Sequence, residues 1–452
     1  MRVLLISANT VVEPYPVYPL GLDYVAGTIA DRNTVSVLDL NQLPDGMDLS
    51  AAITEFGPDA VGVSLRNVDN TDALAPQAYI DSYRNLIRSI RQSTAAPIIL
   101  GGSGFTIFPN EFMQLLEADY GICGEGERLA ALLEAIEHGH DPTRLPGVWM
   151  PLGGNDRPEP WTGPVNRGFD AHTGYIGFYL DNGGMLNLQT KRGCPFRCIY
   201  CSYPSIEGRK MRLFPPEQVA QTAKSLEQAG ARYLFIADSA FNADPEHSVL
   251  VARAFQKYGL SIPWGGFFAP MPPPADYYTI LSDCGLRHVE FGTETLADEV
   301  LKSYRKPFSV SDVFQAHQAA LDTGVHVAHY FLFGGPGETQ QSLDVSFSNI
   351  DKLERTVLFI FCGMRIYPQT ALYEIAVQKG QIESPQSILA PVFFQPPGLP
   401  LESIARQIET RARGRINWVT ASSGNESAQI MRRMYAKGYS GPLWEYLIRA
   451  VH

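Results

Sequence analysis

The sequence predicts an α/β protein in which a doubly wound parallel domain is followed by a partial barrel of six βα units and a C-terminal helical segment. Three observations support this prediction. The chain has 452 residues, about three times the ~150 residues that serve as a prior for one domain. Short apolar runs alternate with helical segments in two blocks, as expected for buried parallel strands. A stretch rich in proline, glycine and tryptophan separates the two blocks.

The first block, residues 1–140, contains five compact apolar runs that predict strands. A helix is predicted over Tyr24–Ala30. Each run ends in polar or glycine-rich residues, and ligands bind at the carboxyl ends of parallel strands joined by right-handed crossovers. The predicted strands are Val3–Ser7, Val35–Leu40, Ala60–Leu65, Pro97–Leu100 and Ala118–Cys123.

The remainder of the chain divides into a linker, a barrel and a C-terminal segment. Residues 141–185 read as an ordered linker that carries a small hairpin. Residues 186–384 carry six βα units, whose chemistry is expected at the carboxyl ends of the strands. Residues 385–452 read as loop plus helices, with PVFFQPPGLP and NWVTASSG expected either to close the barrel mouth or to pack hydrophobically. The six predicted strands are Leu186–Thr190, Tyr233–Ala237, Ile262–Phe268, His288–Gly292, Val325–Phe333 and Val357–Ile366.

Composition and charge narrow the function classes. Hydrophobic residues make up 45% of the chain and charged residues 18%, which is ordinary for a globular protein. The net charge is 36 − 47 = −11, which argues against a nucleic-acid binder. No apolar run reaches the ~18–20 residues needed to cross a bilayer, and the N-terminus lacks the form of a signal peptide. We therefore expect a cytoplasmic protein that binds neither nucleic acid nor membrane.

Three of the six cysteines lie within eight residues, in the segment KRGCPFRCIYCSYP. Cys194, Cys198 and Cys201 have C-x3-C-x2-C spacing and directly follow the first predicted barrel strand. Thiolates that face one centre in a reducing compartment favour zinc or an iron–sulfur cluster. A structural zinc wants four ligands, whereas three thiolates leave one iron of a 4Fe–4S cluster open. A zinc site with a distant fourth ligand, a redox pair and incidental clustering remain alternatives.

This segment resembles the signature of the radical S-adenosylmethionine (SAM) superfamily, in which an aromatic residue, here Tyr200, precedes the third cysteine. The resemblance implies that the cysteines hold a 4Fe–4S cluster whose open iron is chelated by SAM. Reductive cleavage of SAM then yields a 5′-deoxyadenosyl radical that abstracts hydrogen. The protein supplies ligands, orientation and exclusion of water.

Further segments extend the resemblance in the same order along the chain. YLFIADSAFN places Asp238 and Ser239 at a strand end where the superfamily contacts SAM, although the commoner Gly-Gly-Glu is absent. HVEFGTETLADEVLKSYRK places Glu294 near SAM in the same way. HYFLFGGPGET and RIYPQTALYEIAVQKGQI resemble the turn after the fifth strand and the end of the sixth. The SAM-binding residues implied by the resemblance are Tyr200, Asp238, Ser239 and Glu294.

A Rossmann-like domain ahead of such a barrel is similar to the cobalamin-dependent branch. That branch places the corrinoid between the strand ends of the first domain and the barrel mouth. The DxHxxG motif that supplies a cobalt ligand elsewhere is absent from DLNQLPDG, so Arg66 or another group of the loop after the third strand is expected beneath the metal. A domain that keeps the fold without corrinoid is the alternative. The implied cobalamin-binding residues are Leu20, Gly21, Asp39, Ser64, Arg66, Asn67, Gly101, Gly102, Phe105, Gly124 and Glu125.

Together these features predict a cobalamin-dependent radical SAM methyltransferase that acts on a weakly activated carbon of a small or carrier-bound metabolite. A flavodoxin or ferredoxin would supply electrons. A radical ring rearrangement, cyclisation or oxidation without net methylation is the nearest alternative, and a non-catalytic corrinoid or metal-binding protein is the other. Candidate substrate contacts inside the barrel are His288, His317, His326, His329, Tyr330 and Arg365. Strand alternation predicts that His326 and His329 lie on opposite faces.

Overall fold

The computed structural model describes residues 1–12, 15–43, 48–154, 158–168, 175–383, 386–421 and 424–449. Two seven-stranded sheets and a two-stranded ribbon account for all of the strands in these ranges. The strands are β1 (Arg2–Ser7), β2 (Thr34–Asp39), β3 (Ala60–Ser64), β4 (Ile98–Gly101), β5 (Tyr120–Ile122), β6 (Val148–Met150), β7 (Gly153–Gly154), β8 (Met185–Leu188), β9 (Lys191–Arg192), β10 (Arg212–Leu213), β11 (Tyr233–Ile236), β12 (Trp264–Phe268), β13 (Leu286–Glu294), β14 (His326–Phe333), β15 (Thr356–Cys362) and β16 (Trp418–Val419).

Helices connect the strands of both sheets and flank them. Most are amphipathic, with apolar residues on the side that packs against a sheet. The helices are α1 (Leu20–Ile29), α2 (Leu49–Phe56), α3 (Ile80–Ser93), α4 (Gly102–Ile107), α5 (Pro109–Leu115), α6 (Leu129–His138), α7 (Tyr175–Asp181), α8 (Tyr203–Glu207), α9 (Pro216–Gln228), α10 (Pro245–Lys257), α11 (Tyr277–Asp283), α12 (Asp298–Ser303), α13 (Val310–Leu321), α14 (Gln340–Ile350), α15 (Ala371–Gln378), α16 (Leu401–Ala412), α17 (Gly424–Ala436) and α18 (Glu445–Arg449).

The first sheet has the order β2-β1-β3-β4-β5-β6-β7, and its first five strands run parallel. This is the predicted doubly wound arrangement. The predicted small hairpin is β6–β7, which pairs antiparallel onto β5 and extends the sheet to Gly154, beyond the predicted linker boundary. Residues 155–157 and 169–174 of that linker lie outside the described ranges.

The second sheet has the order β16-β15-β14-β13-β12-β11-β8 and is parallel throughout. Its first six strands in chain order, β8 and β11–β15, match the predicted barrel strands. A seventh strand, Trp418–Val419, comes from the C-terminal segment and was not predicted as a strand. Ser422 and Ser423 of the NWVTASSG motif lie outside the described residues.

The C-terminal segment covers the amino-terminal end of the barrel strands, which we call the floor. It also approaches the mouth of the barrel, at the carboxyl ends of the strands. Trp444 packs against Ala328 and Val357 at the floor, and its indole N–H donates to Glu290 at 2.9 Å. At the other end, the Phe394 N–H donates to the carbonyl of Met364 just beyond β15. Among the described residues, no helix combines the length and apolarity that crossing a membrane requires.

Buried ion pairs join the first sheet to the barrel. On the β9–β10 ribbon, Arg192 lies 2.9 Å from Glu125 and 2.7 Å from Glu127, and Arg212 lies 2.8 Å from Glu125. All of these side chains are largely or fully buried. Ion pairs that are buried in this way fix the position of the first sheet relative to the barrel, because separating the partners would leave an uncompensated buried charge.

A second buried ion pair links the loop after β3 to the segment after β15. Arg365 Nε lies 2.8 Å from Asp69, and the other guanidinium nitrogens donate to backbone carbonyls, including those of Ile366 and Ile388. The hypothesis that Arg365 contacts substrate inside the barrel is therefore wrong, because its donors are used where the two domains meet.

Candidate active site

The cysteine loop follows β9 at the carboxyl end of the barrel. Gly193 adopts φ 85°, and a Cβ there would meet the Lys210 carbonyl at 2.3 Å, so glycine is required for the loop to turn. The Cys194 N–H donates to the Gly208 carbonyl at 3.1 Å, and the Cys201 N–H to the Cys198 carbonyl at 3.4 Å. These bonds fix the backbone of all three cysteines.

The three thiols share one enclosed space. Burial raises the pKa of Cys198, and the charges of Glu294 and Cys194 add to this. Burial likewise raises the pKa of Cys201 to about 12, with further contributions from Cys198 and Cys194. Within the described ranges, no three Cys, His, Asp or Glu side chains converge closely enough for a single metal ion. Three thiols of one loop, two of which have pKa values that are shifted by their cysteine neighbours, are a donor set that fits an iron–sulfur cluster.

A hydrogen-bonded trio lies beside the cysteines. The Tyr200 hydroxyl donates to Glu294 Oε1 at 2.6 Å, and Lys306 Nζ lies 3.2 Å from the same oxygen. Burial alone lowers the pKa of Lys306, but the charges of Glu294 and Cys198 outweigh it and leave the pKa raised. Lys306 thus stays protonated and places a positive charge beside the thiolates. Lys306 follows Glu294 by twelve residues in the chain, but no motif in the sequence marks it as a site residue.

Glu294 reaches this position through an irregular backbone. It adopts φ 65°, and the pairing of β13 with β14 shifts register between Gly292 and Glu294. A positive φ in a glutamate is strained and persists where the surrounding structure holds it. The irregularity turns the carboxylate toward Tyr200 at the barrel mouth.

Asp238 and Ser239 both lie at the end of β11, but only Ser239 has a side chain that is free to bind a ligand. The carboxylate of Asp238 is buried, accepts from the Thr190 N–H at 2.8 Å and the Thr190 hydroxyl at 2.5 Å, and pairs with Lys191 at 2.8 Å. Its side chain therefore serves the fold. The Ser239 hydroxyl is buried and has no hydrogen-bond partner within the described residues, so it is free to bind a ligand.

A cavity of about 450 Å³ lies between the carboxyl ends of the two sheets. The first domain contributes backbone and small side chains, and the barrel contributes α8 and the ends of β8 and β11. Eight of the eleven predicted cobalamin-binding residues line this cavity: Leu20, Gly21, Ser64, Arg66, Gly101, Gly102, Gly124 and Glu125.

The other three do not line the cavity. Phe105 is fully buried and its ring packs onto Gly121, because α4 turns this side into the core. Asp39 accepts from the Tyr179 hydroxyl at 2.5 Å, and the Asn67 amide donates to Asn9 at 3.1 Å. The structure therefore does not place these three side chains in the cavity lining, and their role in cobalamin binding stays a prediction. Periodicity did not reveal that α4 begins directly after β4.

Two charged residues of the cavity play different parts. Glu125 is held by Arg192 and Arg212, so its carboxylate joins the domains and only its main chain is open to a ligand. Arg66 makes no ion pair within the described residues, and it is solvent-exposed where it lines the cavity. Its unpaired guanidinium is therefore available to a bound cofactor that supplies acceptors. Residues 44–46 of the DLNQLPDG loop lie outside the described residues.

The barrel histidines divide between the two faces of the sheet, as the alternation predicts. His288 and His326 face inward, with ring centroids 5.3 Å apart. His329 faces outward, where its Nδ1 lies 2.7 Å from the Thr293 hydroxyl and its Nε2 lies 3.0 Å from His317 Nδ1. Burial lowers the pKa of His317 to about 4. His317 and His329 are thus neutral core residues and not substrate contacts.

Comparison with known families agrees with both halves of this geometry. Residues 188–348 match the Radical SAM superfamily, and residues 6–134 match the B12 binding domain. The chain is a radical SAM protein with a B12-binding domain. These two domains bind, respectively, a 4Fe–4S cluster with SAM and a cobalamin, which is the cofactor set that the sequence analysis expected.

Relatives of this radical SAM protein include several methyltransferases. It is 24% identical over 445 residues to tryptophan 2-C-methyltransferase of Streptomyces laurentii, covering 82% of this chain and 73% of that protein. It is 23% identical over 450 residues to cytidylyl-2-hydroxyethylphosphonate methyltransferase of Streptomyces wedmorensis, covering 84% and 82%.

Solved structures share the whole architecture. The radical SAM methyltransferase TsrM from Kitasatospora setae, with tryptophan and a SAM analogue bound, superposes with a TM-score of 0.86 at 22% identity over 99% of this chain and 97% of that chain. The cobalamin-dependent enzyme OxsB superposes with a TM-score of 0.73 at 15% identity over 96% and 72%. These likenesses show the fold.

Proposed function

We propose that this protein is a cobalamin-dependent radical SAM methyltransferase that methylates a weakly activated carbon of a small molecule. One observation carries the proposal. The cavity between the two sheets is lined on one side by Gly101, Gly102 and Gly124 of the B12-binding domain. On the other side it is lined by Tyr203 and Ile206, which lie two and five residues after Cys201. A corrinoid in this cavity therefore adjoins the cluster loop.

The chain's own residues prepare the barrel mouth for the cofactors. Cys194, Cys198 and Cys201 would hold the cluster, and Ser239 offers an unused hydroxyl to SAM. When bound, the cluster and SAM supply a 5′-deoxyadenosyl radical that removes hydrogen from the substrate, and the corrinoid supplies the methyl group.

The trio beside the cysteines controls charge and orientation at the mouth. Lys306 balances the negative thiolates, and Tyr200 orients Glu294 toward the place where SAM would lie. These side chains are largely enclosed, which keeps water away from a reactive radical.

Arg66 supports the methyl-transfer assignment. It lies in the cavity and follows β3 directly, while the loop after β2 contains no histidine that would act as a lower ligand. Toward a corrinoid held in this cavity, the positive charge of Arg66 would disfavour an added ligand and the more oxidised metal, and so would ease methyl transfer. The relatives that are named methyltransferases agree with this assignment.

The proposal includes the partners that the chemistry needs. A flavodoxin or ferredoxin would deliver single electrons, and the substrate would be a free or carrier-bound metabolite. A cytoplasmic location follows from the requirement for free thiols and a low-potential donor, which a reducing compartment supplies.

The test uses anaerobically reconstituted protein that contains iron, sulfide and hydroxocobalamin. With reductant and SAM labelled in its methyl group, the proposal expects 5′-deoxyadenosine and label recovered in the corrinoid fraction. Deoxyadenosine without corrinoid-bound label would instead favour a rearrangement, cyclisation or oxidation. If neither product forms although the cluster and corrinoid spectra are present, both catalytic assignments are wrong.

A further inference from the structure

The inner face of the barrel is unusually open for a parallel sheet. Phe267 on β12 is 38% exposed and Phe361 on β15 is 48% exposed, although the neighbouring strand residues are mostly buried. Outward-facing residues such as Phe291 and Phe331 are fully buried under the helices. The exposed rings therefore border an internal space and not the outer surface.

Aromatic side chains from four strands surround this space. Tyr330 stacks on Phe359 with ring centroids 4.7 Å apart and on Phe361 at 6.2 Å, with interplanar angles of 19° and 9°. Phe267 meets Tyr330 edge-on at 6.0 Å and Phe235 at 5.1 Å. The result is a wall of rings that curves around the barrel interior.

A glycine keeps the inner face of the barrel clear beside Tyr330. Gly292 on β13 is the register partner of Tyr330 on β14, and a Cβ there would meet only Glu294 Oε1, at 3.5 Å. Phe267 and Tyr330 touch across the intervening strand because Gly292 carries no side chain.

Buried hydrogen bonds at the floor hold Tyr330 in place. The Tyr330 hydroxyl donates to Glu290 Oε2 at 2.8 Å, and Trp444 donates to Glu290 Oε1 at 2.9 Å. Glu290 is fully buried and makes no salt bridge within the described residues. Its use is thus to fix Tyr330 and to anchor the C-terminal floor, which makes it a positioning residue.

We infer that this ring-lined space is the substrate pocket and that it selects a planar aromatic group, with Phe267, Phe361 and Tyr330 as the specificity-determining contacts. The inference rests on the proposed function, since it assigns the substrate class of that site. Rings that present stacked and edge-on faces favour another aromatic ring over a saturated ring of equal size. Glu294 Oε1 lies 3.5 Å from the Cβ position of Gly292 on the inner face, so the space adjoins the carboxylate that bonds Tyr200 of the cysteine loop.

The test compares two neutral probes of equal size, benzyl alcohol and cyclohexylmethanol, on the reconstituted holoenzyme by saturation-transfer NMR. The inference expects benzyl alcohol to bind about 2–10-fold more tightly. Phe361→Leu, which keeps an apolar side chain and removes the ring, is expected to abolish that preference. Leu250→Ala is the matched control, because Leu250 is a similarly exposed apolar residue on α10, outside the barrel.

Equal affinity of the two probes for the wild type would overturn the inference, as would an unchanged preference in Phe361→Leu. Tyr330→Phe gives a second reading, since it keeps the ring but frees it from Glu290, and a reduced preference is expected. Deoxyadenosine formation without added substrate is measured on the same samples. Its absence would count against the proposed function, whereas the probe preference alone decides the substrate class.

Discussion

The two sheets present opposite kinds of surface at the carboxyl ends of their parallel strands. The first sheet ends in glycine-rich loops, at Gly101, Gly102 and Gly124, so that main chain borders the cavity. The barrel ends in charged and hydroxyl side chains that bond to one another, such as Asp238 with Lys191. A wide flat cofactor needs close approach to bare backbone, whereas a reacting centre needs side chains fixed in place. We call the glycine-rich edge of the first sheet the docking edge, and the mouth of the barrel the reaction edge.

The sharpest way to break this comparison is to remove one of the three proposed cluster ligands. Cys198→Ala is expected to abolish iron binding and to lower deoxyadenosine formation by more than about 100-fold, while cobalamin binding at the other edge persists. Iron content and the corrinoid spectrum measure the two effects separately. Cys284→Ala, at a half-buried cysteine outside the cluster loop, is the control. Loss of corrinoid together with iron would show that the edges are not independent.

A second test concerns Glu290, the buried carboxylate of the barrel interior. Burial raises its pKa to about 7, so between pH 4.5 and 7 the folded protein binds more protons than the unfolded chain. The free energy of unfolding should therefore fall as pH rises through this window, by about 3 kcal/mol from this group.

Glu290→Gln should flatten that part of the pH dependence, as measured by denaturant unfolding at pH 5 and pH 8. Glu299→Gln, at an exposed position on α12, should leave it unchanged. An identical slope in Glu290→Gln and the wild type would contradict the assignment of a protonated interior carboxyl group.

A third test adds one methyl group to the docking edge. Gly102 has φ 93°, and a Cβ would meet the Leu65 carbonyl at 2.7 Å, so Gly102→Ala must displace the loop that borders the cavity. Cobalamin affinity should fall about 10-fold while iron content stays normal. Gly139→Ala is matched, because Gly139 also has a positive φ but no atom within 4 Å. If Gly102→Ala bound cobalamin as tightly as the wild type, close approach of the cofactor to glycine backbone would not explain binding at this edge.

The smallest expected effect separates the two neighbours at the end of β11. Ser239→Ala removes a hydroxyl that has no partner within the described residues, so it should weaken SAM binding about 3–10-fold and leave the melting temperature unchanged. Asp238→Asn disturbs the buried pair with Lys191 and should instead lower the melting temperature. The reverse pattern would mean that Asp238 is the SAM contact.

Much of this molecule followed from local pattern. Alternating apolar runs predicted the two parallel sheets, and the cysteine spacing predicted that three thiols lie in one loop. The positions of Ser64, Gly101 and Gly124 at strand ends also predicted a shared edge, because carboxyl ends of parallel strands meet there. Each of these features depends on residues close together in sequence.

The sequence pattern did not predict the orientation of side chains whose partners are distant in the sequence. Phe105 lies next to the GGSG loop, yet α4 turns it onto Gly121 inside the core. Arg365 follows a barrel strand, yet it pairs with Asp69, nearly three hundred residues earlier. The floor at Trp444 and the role of Glu290 could not be predicted either, since no residue near Glu290 in the sequence indicates that the Trp444 indole N–H will bond to it.

The sequence by itself determined the order of strands and helices, the three adjacent thiols and the glycine-rich strand ends, because backbone propensity and short-range spacing are local properties. Tertiary structure alone decided which carboxylates are used up in ion pairs, which hydroxyl is left free and which aromatic rings stay exposed inside the barrel. Those outcomes depend on which strands become neighbours and on how tightly their side chains exclude water, and only the folded chain sets both.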